Sequence, residues 1–175
     1  MELIDILDEN KNITGEIKTK DEVHSRGLWH QTVHVWFINS NNEILLQRRS
    51  KMKKAYPGMW DISVAGHISI GEDSLRAIFR EVKEEIGVDL EESSLKFIGT
   101  IKREKVLNNN TYFDNEFNDI YLVKRDLEIN KLNLQEEEVA EIQWVKISEF
   151  KKWVEEKKSD LVPHEEECEL LFRFI

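Results

Sequence analysis

The sequence predicts an α+β fold, a mixed β-sheet between helices in an α/β/α sandwich. Three observations predict it. Residues 66–88 read as a loop running into an amphipathic helix, with Leu75, Ile78, Phe79, Val82 and Ile86 at helical spacing. Short runs rich in β-branched and aromatic residues precede and follow that helix. Candidate helices are few and set among the candidate strands. No repeat, low-complexity tract or Pro/Gly-rich linker divides the 175 residues, a length that fits one domain, 1–175, with a sizeable core.

In chain order, residues 2–7 and 12–17 are strand candidates around a turn at 8–11. They predict an added N-terminal β-hairpin within an extension covering 1–28. Residues 22–27 read as a short helix or loop. Residues 32–38 and 43–47, joined by Asn39, Ser40, Asn41 and Asn42, predict a second hairpin. A basic loop at 48–54 follows and stops at Pro57 and Gly58. Residues 60–65 predict a strand feeding the central helix, which Asp73 or Ser74 caps and Gly87 ends in a left-handed turn. Residues 95–103 and 116–123 are strand-like on either side of a turn at 108–110, and 138–145 alternates and returns to the sheet. Residues 147–157 read as a helix with Ser148 as its cap and Phe150, Trp153 and Val154 on one face. Residues 163–174 read as a last helix beginning at Pro163.

The net charge of −10 argues against a general surface for duplex nucleic acid, which needs a basic footprint. It leaves room for a phosphorylated small molecule, because a bound metal supplies local positive charge. One cysteine, Cys168, excludes an intrachain disulfide framework and suits a reducing compartment. The acidic first ten residues lack the pattern of a signal peptide, and no apolar run is long enough to span a membrane. The expectation is a cytoplasmic protein.

Three carboxylates, Glu81, Glu84 and Glu85, cover an arc of roughly 100° beside the apolar stripe of the central helix. Glu81 and Glu85 form a like-charge i,i+4 pair that weakens a bare helix, and a divalent cation converts that repulsion into a binding site. Hard oxygen ligands suit Mg²⁺ or Mn²⁺. A plain solvated acidic face is the alternative. Arg48, Arg49, Lys51, Lys53 and Lys54 form a local cationic cluster in an acidic chain, a phosphate clamp or a solvated loop. Of the five histidines, His34 and His164 read as ordinary core or surface residues. Trp36 and Trp60 either face an organic ligand or lie in the core, the commoner place for aromatics in strands.

Gly66, Glu72, Arg80, Glu81, Val82, Glu84, Glu85, Gly87 and Val88 stand at the spacing of the signature of the Nudix hydrolases, which this stretch resembles. The resemblance implies the Nudix fold and Mg²⁺-dependent cleavage of a diphosphate joined to another group. It implies metal ligands at Glu81, Glu84, Glu85 and the Gly66 carbonyl, and an orienting role for Arg80. Glu72 pairs with an arginine or with metal through water. The base is Glu81 or a carboxylate outside the motif such as Glu116. A homodimer is common in such proteins, and nothing in this sequence decides it.

The segment from Leu28 to His67 also resembles the type I isopentenyl diphosphate isomerases, a Nudix branch. That second resemblance implies metal ligands at His24, His30 and His67, and diphosphate contacts from Lys20, Arg49 and Lys53. Its acidic-Asn-Glu motif falls on Asp114, Asn115 and Glu116. This chain departs from the isomerases at Ala65, where they carry a catalytic cysteine, in its full set of helix carboxylates, and in a His24–His30 gap one residue short. Three functions follow in order: a hydrolase of a nucleoside diphosphate-X or related substrate, an isomerase, and a non-catalytic ligand-binding regulator.

Overall fold

The hairpin is present and stands on its own two-stranded sheet. In the computed structural model, which describes residues 1–175, β1 (Leu3–Leu7) pairs antiparallel with β2 (Ile13–Thr19). Asp8 closes the turn by accepting from the backbone N–H of Asn10 and Asn12, at 2.8 and 2.9 Å. The segment expected as a short helix or loop at 22–27 belongs to helix α1 (Lys20–Arg26), because Thr19 and Glu22 make a reciprocal capping box and Gly27 ends it at φ 65°.

The main sheet has seven strands. They are β3 (His30–Ile38), β4 (Glu43–Arg49), β5 (Trp60–Asp61), β6 (Val64–His67), β7 (Leu95–Leu107), β8 (Tyr112–Lys124) and β9 (Val139–Lys146). Strand β3 is central: it runs parallel to β8 from His30↔Glu116 to Ile38↔Lys124 and antiparallel to β6. Its side chains divide the core. Val33, Val35 and Phe37 pack with Ala77, Ile78, Val82 and Ile86 of helix α2 (Ser74–Ile86). Trp36 and Ile38 pack on the other face with Phe150 of helix α3 (Ile147–Glu155) and Leu171 of helix α4 (Glu165–Leu171). A mixed sheet between helices is the expected sandwich.

Several local expectations need correction. β3 and β4 share the predicted turn but pair only at Ile38↔Ile44, so no regular hairpin forms. Ser63 wedges between them, accepting from Phe37 N–H at 2.9 Å and donating to the Leu45 carbonyl at 2.5 Å. The same wedge breaks the expected strand 60–65 into β5 and β6. Arg48 and Arg49 belong to β4 and not to the basic loop. β7 and β8 are each thirteen residues and run well past the expected ends to a tip where Asn108, Asn109 and Asn110 all have positive φ. Helix α3 starts at Ile147 without a side-chain cap, so Ser148 does not cap it, and α4 begins two residues after Pro163. Leu75 and Phe79 are only half-buried, while Ala77 is fully buried in the stripe of α2. Trp36 and Trp60 are core residues.

Candidate active site

Helix α2 sets the site. Its N-cap Asp73 accepts from Arg76 N–H at 2.9 Å, and Gly87 closes the far end at φ 74°. With the apolar stripe packed on the sheet, Glu81 and Glu85 turn inward and are buried, while Glu84 stays exposed. Burial and the surrounding carboxylates push Glu81 up to about 7 and Glu85 to about 8. Arg80 braces the group. Its Nε and Nη2 fork onto Glu72 at 2.9 and 2.8 Å, its Nη2 also reaches the His67 carbonyl at 3.0 Å, and its Nη1 donates to Glu81 at 2.6 Å. Gln47 donates to Glu85 at 3.0 Å. Gly66 lies so close that a Cβ there would run into the Glu81 carboxylate, so only glycine leaves the Glu81 side chain its place.

A second group of side chains converges from four other elements. His24 of α1, His30 of β3, His67 of β6 and Glu116 of β8 present ligand atoms within 4.8 Å of one another. Backbone carbonyls fix two ring orientations: His24 Nδ1 donates to Phe113 at 3.0 Å and His30 Nδ1 to Leu28 at 3.0 Å. Each Nε2 is thus turned towards the group. His24 Nε2 lies 3.0 Å from His67 Nε2, and the buried His30 Nε2 has no hydrogen-bond partner. Burial opposes a charge on His30, but Glu116 outweighs it and raises its pKa; burial drives His67 well below 6.5. Imidazole nitrogens aimed at one point beside a carboxylate fit a divalent metal ion, which takes them in the neutral form. The paired carboxylates of α2 fit a harder one, Mg²⁺ or Mn²⁺.

One cavity of about 740 Å³ joins both groups. Of the residues expected to hold metal, bind diphosphate or act in catalysis, Lys20, His24, Arg49, Lys53, Gly66, His67, Arg80, Glu81, Glu84, Glu85 and Glu116 line it; Glu72 does not, and His30 is wholly buried behind His24 and His67. Lys20, Arg49 and Lys53 are on its wall, already engaged: Lys20 lies 3.5 Å from Glu2, Arg49 donates to Asp61 at 2.9 Å, and Lys53 pairs with Glu138. Ala65 lines the cavity next to Gly66.

The NUDIX domain family model matches residues 28–164. This chain belongs to the Nudix hydrolase family. It is 38% identical over 167 residues to Nudix hydrolase 3 of Arabidopsis thaliana, covering 94% of this chain but only 22% of that longer protein. It is 31% identical over 139 residues to an isopentenyl-diphosphate Delta-isomerase of Citrobacter koseri, covering 79% of this chain and 74% of the isomerase. A crystal structure of a Deinococcus radiodurans protein superposes with a TM-score of 0.73 at 20% identity over 98% of each chain, a likeness of fold.

The Nudix cavity also holds residues that sequence reasoning missed. His164 lines it, with Nε2 2.8 Å from Asp61 and Nδ1 2.7 Å from Arg103 Nη1. Burial opposes charge on Asp61, but the hydrogen bond from His164 and the guanidinium of Arg49 hold it well below the ordinary 3.8. His34 also reaches the cavity and pairs with Glu167 at 2.8 Å. The one available signal for Arg103 is its cross-strand position opposite Glu116, legible once β7 and β8 are in register.

Proposed function

We propose that this Nudix protein hydrolyses a diphosphate linkage in a small molecule of the nucleoside diphosphate-X type or a related one, with Mg²⁺, or Mn²⁺ in its place. The observation that carries the reading is Glu81 and Glu85 buried side by side in a cavity whose other wall bears Arg49 and Lys53. A bound divalent ion supplies a lowered pKa for water and neutralises charge growing on the diphosphate. Glu81, Glu84, Glu85 and the Gly66 carbonyl are the residues that would hold it. Arg80 fixes Glu81 and Glu72 in place, and Gln47 fixes Glu85. Arg49 offers a guanidinium whose Nε and Nη1 are held by Ala55 and Asp61, leaving Nη2 for a phosphate oxygen. Lys53 and Lys20 add point charges. Glu81 or Glu116 takes the proton from the attacking water.

The residues 1–28 form the wall that carries Lys20 and His24, an extension built onto one Nudix domain. A lone buried Cys168 suits a reducing, cytoplasmic setting, and no helix is long and apolar enough to cross a membrane. The second reading is isomerisation, favoured by the convergence of His24, His30, His67 and Glu116 and opposed by the methyl of Ala65. The test is a panel of nucleoside diphosphates and triphosphates, dinucleotides, sugar nucleotides and prenyl diphosphates, incubated with Mg²⁺ and assayed for released phosphate. Turnover of at least one at enzymatic rates, abolished in Glu85→Gln, supports the hydrolase. Binding without turnover across the panel supports the regulator.

A further inference from the structure

Six cationic side chains line the cavity: Lys20, Arg49, Lys53, Lys54, Arg80 and Arg103. Five have a carboxylate oxygen within 4.0 Å, supplied by Glu2, Asp61, Glu138, Asp21 and the Glu72–Glu81 pair respectively. Arg103 has none. Its Nη1 donates to His164 Nδ1 at 2.7 Å, and its Nε is buried with no hydrogen-bond partner.

The hydrogen-bond chemistry is determined by the arginine. A guanidinium can only donate, so His164 Nδ1 accepts and its proton resides on Nε2. That proton is donated to Asp61 Oδ1 at 2.8 Å, while Asp61 Oδ2 accepts from Arg49 Nη1 at 2.9 Å. A continuous bridge, Arg49–Asp61–His164–Arg103, therefore runs across the cavity wall from β4 to β7. Its two ends differ. Arg49 is neutralised by the carboxylate it touches. Arg103 is tied to an uncharged imidazole: Glu116 and Asp114 stand near enough to favour its charge, but no carboxylate touches it and its Nε is left buried without a partner. Holding a charge away from water is unfavourable unless an opposite charge meets it, and the group in this cavity that fits a planar fork of donors is a phosphate oxygen.

We propose that Arg103 is a second anion-binding guanidinium of the cavity, taking a phosphate oxygen of the substrate, and that His164 and Asp61 position it opposite Arg49. The inference rests on the diphosphate reading of the cavity, and the experiment separates the two. Magnesium pyrophosphate is titrated calorimetrically into the parent, Arg49→Gln and Arg103→Gln proteins, and Mn²⁺ affinity is measured separately by electron paramagnetic resonance. Each variant should bind pyrophosphate about tenfold more weakly, the loss of one charge-assisted contact, with Mn²⁺ affinity kept in Arg103→Gln. Parent-like pyrophosphate affinity in Arg103→Gln beside a loss in Arg49→Gln overturns the inference alone. Parent-like affinity in both overturns the diphosphate reading of this wall. A change in Mn²⁺ affinity with pyrophosphate affinity kept makes Arg103 a charge partner of Glu116, and also overturns it. Where Arg103→Gln does not fold, Arg103→Lys replaces it: a point charge should restore only part of the affinity, and full parent affinity rejects the forked contact. For the positioning residue, His164→Gln can accept from Arg103 and donate to Asp61, so it should retain affinity that His164→Phe loses. Equal affinity in His164→Phe and the parent removes His164 from that role.

Discussion

Glu81 and Glu85 keep protons at pH values where a carboxyl group in water has lost them. Burial comes first among the causes, raising them from the ordinary 4.5 to about 7 and about 8. The unfolded chain releases these protons near 4.5, so between about pH 5 and 8 the folded metal-free chain holds more protons than the unfolded one. Stability contributed by these two groups is fully present below 4.5 and is lost as pH rises through that window. His67, held well below 6.5, acts in the opposite sense below that value. The comparison that isolates the glutamates is therefore between parent and variants. Thermal midpoints from pH 5.5 to 8.5 in chelator should decline less for Glu81→Gln and Glu85→Gln than for the parent; identical slopes would count against the buried pair. Mg²⁺ must displace the same protons, so its apparent affinity should climb with pH over 6–8 and it should raise the parent's midpoint more than either variant's. Both variants should lose hydrolysis by roughly a hundredfold or more. Gly66→Ala reaches the same end by another route. Its methyl displaces the Glu81 carboxylate, so hydrolysis should fall while far-ultraviolet circular dichroism stays parental; full activity would show that Glu81 can shift without consequence.

Among the elements, helix α2 was the most legible because everything that makes it is local: Asp73 at one end, Gly87 at the other, apolar residues at helical spacing between. Asp73→Ala should cost about 1 kcal/mol of stability, read from urea unfolding, for the single cap bond to Arg76. Strands were legible as runs but not as partners. The wedge of Ser63 between β3 and β4, and the parallel register of β3 with β8, join residues far apart in the chain, and no local pattern encodes them. The same holds for the basic segment, read as one loop although its two arginines end β4. That difference matters for function. Arg49, fixed on a strand and held by Ala55 and Asp61, is a rigid donor, whereas Lys53 must exchange Glu138 for the substrate. Arg49→Ala should therefore raise KM for a diphosphate substrate more than Lys53→Ala does, with Arg49→Lys failing to restore it. Steady-state kinetics that place the larger KM effect at Lys53 would reverse this order.

At the scale of the whole molecule, two groups of candidate metal ligands meet around one cavity. The carboxylate face was legible because one helix carries it. The grouping of His24, His30, His67 and Glu116 was legible only through resemblance, since four elements deliver it. The Asp61–His164–Arg103 bridge was not legible at all, because it forms only when β5, β7 and the start of α4 come together. The histidine group is similar to the one the isomerase resemblance implies, and the reading of hydrolysis over isomerisation rests on the residue beside it. Moving a double bond requires a proton given to one carbon and another removed across the allyl unit, hence two placed acid/base groups. Glu116 is one. Ala65, where the second would stand, lines the cavity with a methyl that exchanges no proton, and a water in its place lacks the fixed geometry on which acceleration depends. Cys168, the one thiol, is buried in α4 with its pKa pushed up by burial, so it supplies no thiolate. Isopentenyl diphosphate incubated with the protein and Mg²⁺ or Mn²⁺ should give no dimethylallyl diphosphate by chromatography, and any turnover should appear as released phosphate. Ala65→Cys should not create an efficient isomerase, because the full set of helix carboxylates and the short His24–His30 gap would still differ from the isomerases. Dimethylallyl diphosphate formed by the parent at enzymatic rates would sink the hydrolase reading and make the histidine group the working centre.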